Sequence, residues 1–482
     1  MIFNSLTYIV FLLLIFLIYW QLRGNIKLLL IFSSSIVFYG FWRIEFVGLL
    51  LFSVCLDYFV AKKMTEARPI QKKILLYTSL LSNLGLLIFF KYLYFLHDNL
   101  TSVVGFFGLQ VPSMNLNIIL PLGISFYTFQ TISYTVDVYR GHLKAENNFL
   151  AFGSYVTFFP QLIAGPILRA GEVIPQLKKS MVFKFEDVFY GVRRILYGLF
   201  LKVVIADNIA PLVDEGFLVP TEFLGAFDVW TLAFLFGFQI YFDFCAYSHI
   251  AIGSARILGI KFPENFDYPY AALNPKDFWK RWHISLSSWI RDYLYLPLTG
   301  AKVVPLSEGG LENAVIVKKV GSDKILFVTW GIMGLWHGAS WTFIIWGLYH
   351  AIVIYIYRIL SKTAFGNLNK GFSVLITLAV MMLSWIPFRA VTVADTFQLW
   401  AHVINPLRYF TPLGLRENSY LVAVLLLIGF FVSWAFKEKL FSIKYLKNQY
   451  ILMVGSTVFY SVLFALVIIF LRPMSQFIYF QF

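Results

Sequence analysis

Two histidines lie in a stretch that should carry no titratable group. The run from Phe327 to His350 is apolar enough to sit inside a membrane, yet it holds His337 in its middle and His350 at its end. A charged side chain at membrane depth costs roughly 2.5–3.5 kcal/mol on insertion scales, and a neutral imidazole there still needs a partner. Imidazole titrates near neutral pH, so the chemistry it offers is general-base catalysis. The alternative is a structural hydrogen bond between helices. Small neighbours at Gly338, Ala339 and Ser340 let another helix or a ligand approach His337 closely. They do not form the Gly-x-Ser-x-Gly turn that presents a nucleophilic serine. His350 follows thirteen residues later, about 220° away on one straight helix, so the geometry predicts that it faces elsewhere.

Two further segments carry chemistry-bearing residues. Asp243 and His249 interrupt an apolar stretch. Six residues place them about 240° out of alignment on a helix, which argues against a dyad or metal site built from this pair alone. Asp243 is also suited to partner a buried cation. The second segment runs from Phe278 to Pro297. Trp282, Leu286, Trp289, Ile290 and Tyr293 recur with helical spacing, and Lys280, Arg281, Arg291 and Asp292 supply charge. That pattern predicts an amphipathic helix lying at the membrane interface, with His283 at the edge of its apolar stripe. No Gly-rich phosphate loop, Cys/His metal spacing or paired-carboxylate signature occurs, and no metal is expected.

These residues must be positioned by membrane helices. The 482-residue chain is 59% hydrophobic and only 13% charged, where a soluble protein carries about a quarter charged residues. The net charge of +14 suggests nucleic acid only in a soluble protein. In a membrane protein it marks cytosolic loops, and such loops also attract an anionic cytosolic donor. Nucleic acid is excluded as a partner and membrane lipid is expected. Cys55 and Cys245 lie in apolar surroundings and imply no disulfide framework. The apolar N-terminus lacks a basic leader and a small-residue cleavage site, so it reads as a retained helix.

Apolar runs of spanning length fall near 2–21, 27–42, 46–61, 74–96, 116–137, 187–206, 226–252, 325–347, 349–361, 371–389, 420–437 and 450–471. Segment 150–168 is apolar but contains Pro160, Gly165 and Pro166, so broken backbone is expected there, shielded by protein. The expected fold is an all-α polytopic membrane protein of roughly 11–13 transmembrane or re-entrant helices in one bundle. Residues 1–482 form a single membrane domain, divided into N-terminal helices (1–115), a core (116–390) and C-terminal helices (391–482). Arg23 and Lys27, then Lys62, Lys63, Arg68, Lys72 and Lys73, crowd alternate connections. The positive-inside rule therefore places the N-terminus outside. The insert from Ala301 to Asp323 contains three lysines and reads as a cytosolic loop.

Five strings give these segments a family likeness: Phe158–Pro166, Phe262–Tyr270, Phe278–Pro297, Gly334–Phe343 and Trp385–Ala390. Together they resemble the membrane-bound O-acyltransferase superfamily, in particular its bacterial branch of alginate and peptidoglycan O-acetyltransferases. The resemblance implies funnels from both membrane faces meeting at a thin centre. It implies that His337 is the catalytic histidine and His283 a second one; Trp336 and Asp243 are candidates to support the site. The co-substrate would be acetyl-CoA or a similar acyl thioester, with no bound cofactor. Lys280, Arg281 and Arg291 are candidates to hold its phosphates. The acceptor would be an exported polysaccharide, reached with a periplasmic or extracellular partner of the serine-hydrolase-like type. The location would be the bacterial inner membrane. Departures occur at His249, where the family has an acid, at Thr299-Gly300 and at Ala351. The alternatives are another acyl group or acceptor, such as D-alanine on teichoic acid, a lipid or a protein, and a proton-coupled transporter.

Overall fold

The computed structural model describes residues 3, 5–114, 116–301, 303–304, 315–316, 322–363, 366, 368–436, 449–471 and 477–478. The described chain is almost entirely helical; Val303–Val304 and Val315–Ile316 form the one antiparallel pairing among these residues. Seven helices are long and apolar enough to cross a membrane: Ile44–Met64, Pro69–Phe106, Phe185–Leu218, Ala226–Ile257, Trp341–Leu360, Lys370–Arg389 and Glu417–Ala435. The expectation of an all-α polytopic membrane protein is met. The three lysines of the 301–323 insert lie outside the described residues.

Contacts divide the chain into two compact units. The first comprises Met1–Val192, Ala251–Pro263 and Ser288–Gly321. Its helices expose Leu6, Ile9, Leu13 and Leu17 on one side and bury Tyr8, Leu12 and Ile15 on the other. Apolar side chains outside as well as inside suit a lipid surround. Segment 150–168 behaves as its prolines and glycine require. The helix Phe149–Thr157 is started by Asn148, whose side chain accepts from Leu150 and Ala151. It then gives way to irregular backbone that is buried throughout. Side chains satisfy this backbone: Gln161 Nε2 donates to the Tyr155 carbonyl at 2.6 Å, and the Tyr155 hydroxyl to the Leu168 carbonyl at 2.9 Å.

The second unit comprises Arg193–Ile250, Glu264–Ser287 and Ser322–Phe482. It corrects two expectations. First, the apolar run 325–347 is not one helix. It ends at His337, resumes at Trp341, and so forms a hairpin of Asp323–His337 and Trp341–Leu360. The Ser340 side chain starts the second arm by accepting from Thr342 N–H. The arms touch at two glycines. A Cβ on Gly334 would collide with the Phe343 carbonyl, and one on Gly347 with the Trp330 carbonyl. The angular argument that separated His337 from His350 assumed a single rod and does not apply.

Second, the amphipathic helix expected through His283 is broken. One helix runs Pro275–Arg281, started by the Asn274 side chain. A new one starts at Ile284. Between them His283 takes a left-handed conformation, φ +40°. Asn265 holds that turn: its carbonyl accepts from Ile284 N–H at 2.9 Å, and its side-chain oxygen from Ser285 N–H at 3.2 Å. Trp282 and Leu286 are buried in protein, so this is not a surface-lying interfacial element.

Candidate active site

His337 ends the first arm of the hairpin and is 5% exposed. Its ring sits among three aromatic rings, with centroids 4.8 Å from Trp336, 4.8 Å from Trp346 and 5.3 Å from Phe388. Phe388 also borders a cavity of about 430 Å³. Ser340, Thr342 and Phe343 of the hairpin turn line the same space. His337 is not itself on the lining; the Phe388 ring that it packs against is, together with the residues of the turn that follows it.

The opposite wall carries charge. Lys202 is 2% exposed, and its Nζ lies 2.6 Å from Asp243 Oδ1 and 2.8 Å from Asp207 Oδ1. The second oxygen of Asp243 accepts from Ile478 N–H at 2.8 Å. All four residues line the cavity, with Gln239 beside them. Arg389 and Asp214 form a more exposed pair, 2.8 Å apart, also on the lining. Asp243 therefore has the buried cationic partner its position called for. Lys202 was not singled out from the sequence. Its signal was present: a lysine within the apolar stretch Phe200–Ala206 is a costly residue at membrane depth.

His283 is wholly buried. Its Nδ1–H donates to Asn265 Oδ1 at 3.2 Å, the oxygen that Ser285 Oγ also reaches at 2.9 Å. Asn265 is fixed in turn by donating to Ser248 Oγ at 3.2 Å. This arrangement places the proton on Nδ1 and the lone pair on Nε2. Burial pushes the imidazole down to about 3, so it is neutral at physiological pH. Aromatic rings link it to His337: Phe266 lies 6.4 Å from His283, then Trp282, Trp385 and Phe388 follow at 5.2, 4.8 and 5.6 Å.

The remaining candidates separate. Arg281 Nε is held 2.9 Å from Asp277, and Lys280 is exposed. Arg291 belongs to the first unit, where its Nε lies 2.7 Å from Asp292. His350 lies inside a cage of Trp279, Trp330 and Trp346, at 5.0, 5.3 and 4.8 Å. Neither of its nitrogens meets a hydrogen-bond partner among the described residues.

Comparison with known proteins gives this arrangement a family. The model of the membrane-bound O-acyltransferase (MBOAT) family matches residues 140–386, a span that includes Lys202, Asp243, His283 and His337. A probable alginate O-acetylase AlgI of Azotobacter vinelandii is 35% identical over 410 residues, 84% of this chain and 78% of that protein. A peptidoglycan O-acetyltransferase of Helicobacter pylori is 37% identical over 387 residues, 74% of this chain and 70% of that protein. A teichoic acid D-alanyltransferase of Bacillus subtilis is 32% identical over 252 residues, 51% of this chain and 61% of that protein. Family membership sets the transporter alternative aside. With a family model over half of its length and relatives of this similarity over most of it, the chain belongs to the membrane-bound O-acyltransferase family and is an acyltransferase.

Proposed function

We propose that the protein moves an acetyl group from a cytosolic acyl thioester to a hydroxyl destined for an exported polysaccharide, with His337 as general base. The observation that carries this reading is the placement of His337 at the hairpin tip, with its ring against Phe388, which lines a cavity shared by Ser340, Thr342 and the Lys202–Asp243 pair. An imidazole nitrogen takes the proton of the acceptor hydroxyl as its oxygen attacks the thioester carbonyl. The C–O bond forms, the C–S bond breaks, and the leaving thiolate recovers the proton from the imidazolium. His283, neutral and clamped by Asn265, holds the aromatic packing that orients His337. The thioester is a co-substrate rather than a resident cofactor, and Lys280 and Arg281 are proposed to meet its phosphates.

Charge distribution supports an orientation. Asp323 and Arg358 pair at 3.4 Å at the open end of the hairpin, near Lys362 and Lys370. By the positive-inside rule these basic residues favour a cytosolic placement of this end, in an inner membrane with the N-terminus outside. His337 lies fourteen residues further along the arm, about 21 Å deep. The cavity then serves the outer face, where the polysaccharide and a periplasmic partner meet the chain. The similarity to alginate and peptidoglycan acetylating proteins spans most of this chain, against about half for the D-alanyl-transferring relative. That difference favours acetate and a polysaccharide acceptor.

The test is acetyl release from cell-wall and secreted polysaccharide in cells carrying only a variant chain at normal membrane abundance. His337→Ala should lower acetylation at least about 100-fold. Ser340→Ala should keep most of it, because Ser340 starts a helix and is no nucleophile. Near-wild-type acetylation in His337→Ala would sink the assignment.

A further inference from the structure

A second polar centre lies wholly within the first unit and involves no residue assigned above. Three neighbouring helices each contribute two polar side chains one turn apart. Val47–Met64 supplies Ser53 and Asp57, Pro69–Phe106 supplies Ser79 and Asn83, and Ile124–Arg140 supplies Thr131 and Thr135. All six are at most 1% exposed. They converge on one carboxylate. Ser79 Oγ and Thr135 Oγ1 donate to Asp57 Oδ1, the latter at 3.1 Å. Asn83 Nδ2 donates to Asp57 Oδ2 at 2.8 Å, while its own carbonyl oxygen lies 3.5 Å from Thr131 Oγ1.

Neutral donors surround this carboxyl group and bring no opposite charge to it. Asp57 forms no ion pair with any lysine, arginine or histidine among the described residues. A carboxyl group with no opposite charge is costly to ionise inside a membrane bundle unless a cation comes with it, and such residues mark functional sites. A second, independent observation points to a ligand. Ser53 Oγ, one turn from Asp57 on the same helix face, is buried and meets no hydrogen-bond partner among the described residues. A serine hydroxyl within a helix ordinarily bonds to the carbonyl one turn back.

The chemistry of the group selects the ligand. Every available donor atom is a hard oxygen: a carboxylate, four hydroxyls and one amide carbonyl. Sulfur and imidazole are absent from the cluster, which turns away zinc, copper and iron. A single carboxylate balances one positive charge, whereas a divalent ion would leave an excess in a low-dielectric surround. We propose that Asp57, with Ser79, Asn83 and Thr135 around it and Ser53 and Thr131 beside it, forms a sodium-ion site that ties the three helices together. On binding, the hydroxyl hydrogens turn from Asp57 toward carbonyls of the preceding helical turn, and the Asn83 amide swings its oxygen inward. The oxygens then face the ion.

The full-length protein, purified in detergent at about pH 8, provides the test. Sodium chloride replaces choline chloride at constant ionic strength, and the thermal unfolding midpoint is followed. The wild type should show a saturable rise of about 3 °C or more with sodium. Asp57→Asn should show none. Should Asp57→Asn not fold, Thr135→Val and Ser79→Ala, each lacking one oxygen, should raise the half-saturating sodium concentration about fivefold or more. A flat wild-type response would overturn the site, and so would an unchanged response in the Asp57 or hydroxyl variants. An equal rise with potassium would overturn the assignment to sodium. Acetylation is not read in this experiment, so its outcome is independent of the role given to His337.

Discussion

Lys202 and Asp243 form a 2.6 Å ion pair with both side chains almost completely buried, on the wall of the cavity that Ser340 and Phe388 also border. The pair is charged machinery placed in an apolar helix bundle, where each member depends on the other. Removing the carboxylate takes this partner from the buried ammonium and leaves Asp207, 2.8 Å away. Breaking a buried pair in this way costs about 3–5 kcal/mol, while exchanging both members for apolar residues of similar volume is far cheaper. Asp243→Ala should therefore lower the unfolding midpoint of the purified protein sharply. Lys202→Met combined with Asp243→Leu should recover much of that loss. Equal losses in the single and double variants would show that the two side chains do not act as a pair.

The glycine seam of the hairpin carries a second expectation. A methyl group at Gly347 meets the Trp330 carbonyl, whereas one at Gly331 meets nothing within 4 Å. Gly347→Ala must push the two arms apart and displace the turn after His337. It should destabilise by about 1–3 kcal/mol and depress acetylation beyond what the loss of folded protein explains. Gly331→Ala, on the same arm as His337, should be neutral or slightly stabilising. Midpoints and activity per folded molecule, measured side by side, separate the two.

Acid sensitivity tests the setting of His283. Its imidazole is held at about 3 by burial, below the ordinary histidine value of about 6.5. Between those values the unfolded chain binds a proton that the folded chain refuses, so stability falls as pH falls. The contribution is complete above about pH 6.5 and declines by at most about 1.4 kcal/mol per unit as pH drops toward 3. His283→Asn should flatten the dependence of the midpoint on pH across this window. A variant whose midpoint follows the wild-type curve would show that His283 is protonated in both states.

Much of this architecture could be read from the residues. The excess of apolar residues gave the membrane class, and the strings around His283 and His337 gave the family. Hydrophobic periodicity could not show where a helix stops. Residues 325–347 remain equally apolar through the turn, and only Gly338 followed by Ser340, a stop and a start signal, hinted at the hairpin. The break at His283 was hidden for another reason: Asn265, eighteen residues earlier, supplies the hydrogen bonds that stabilise it. The partner of Asp243 was equally distant, since Lys202 lies 41 positions away. Single-residue oddities were visible, but their pairing belongs to tertiary structure.

Asp243 has one further attachment with an unusual property. Its second oxygen is held by the main-chain N–H of Ile478, at 2.8 Å. Every amino acid but proline carries that donor. The bond is therefore blind to the identity of the side chain at position 478, and nineteen of the twenty residue types could supply it. A contact of this kind leaves no mark in a string of letters, although it helps hold a wall of the cavity beside His337.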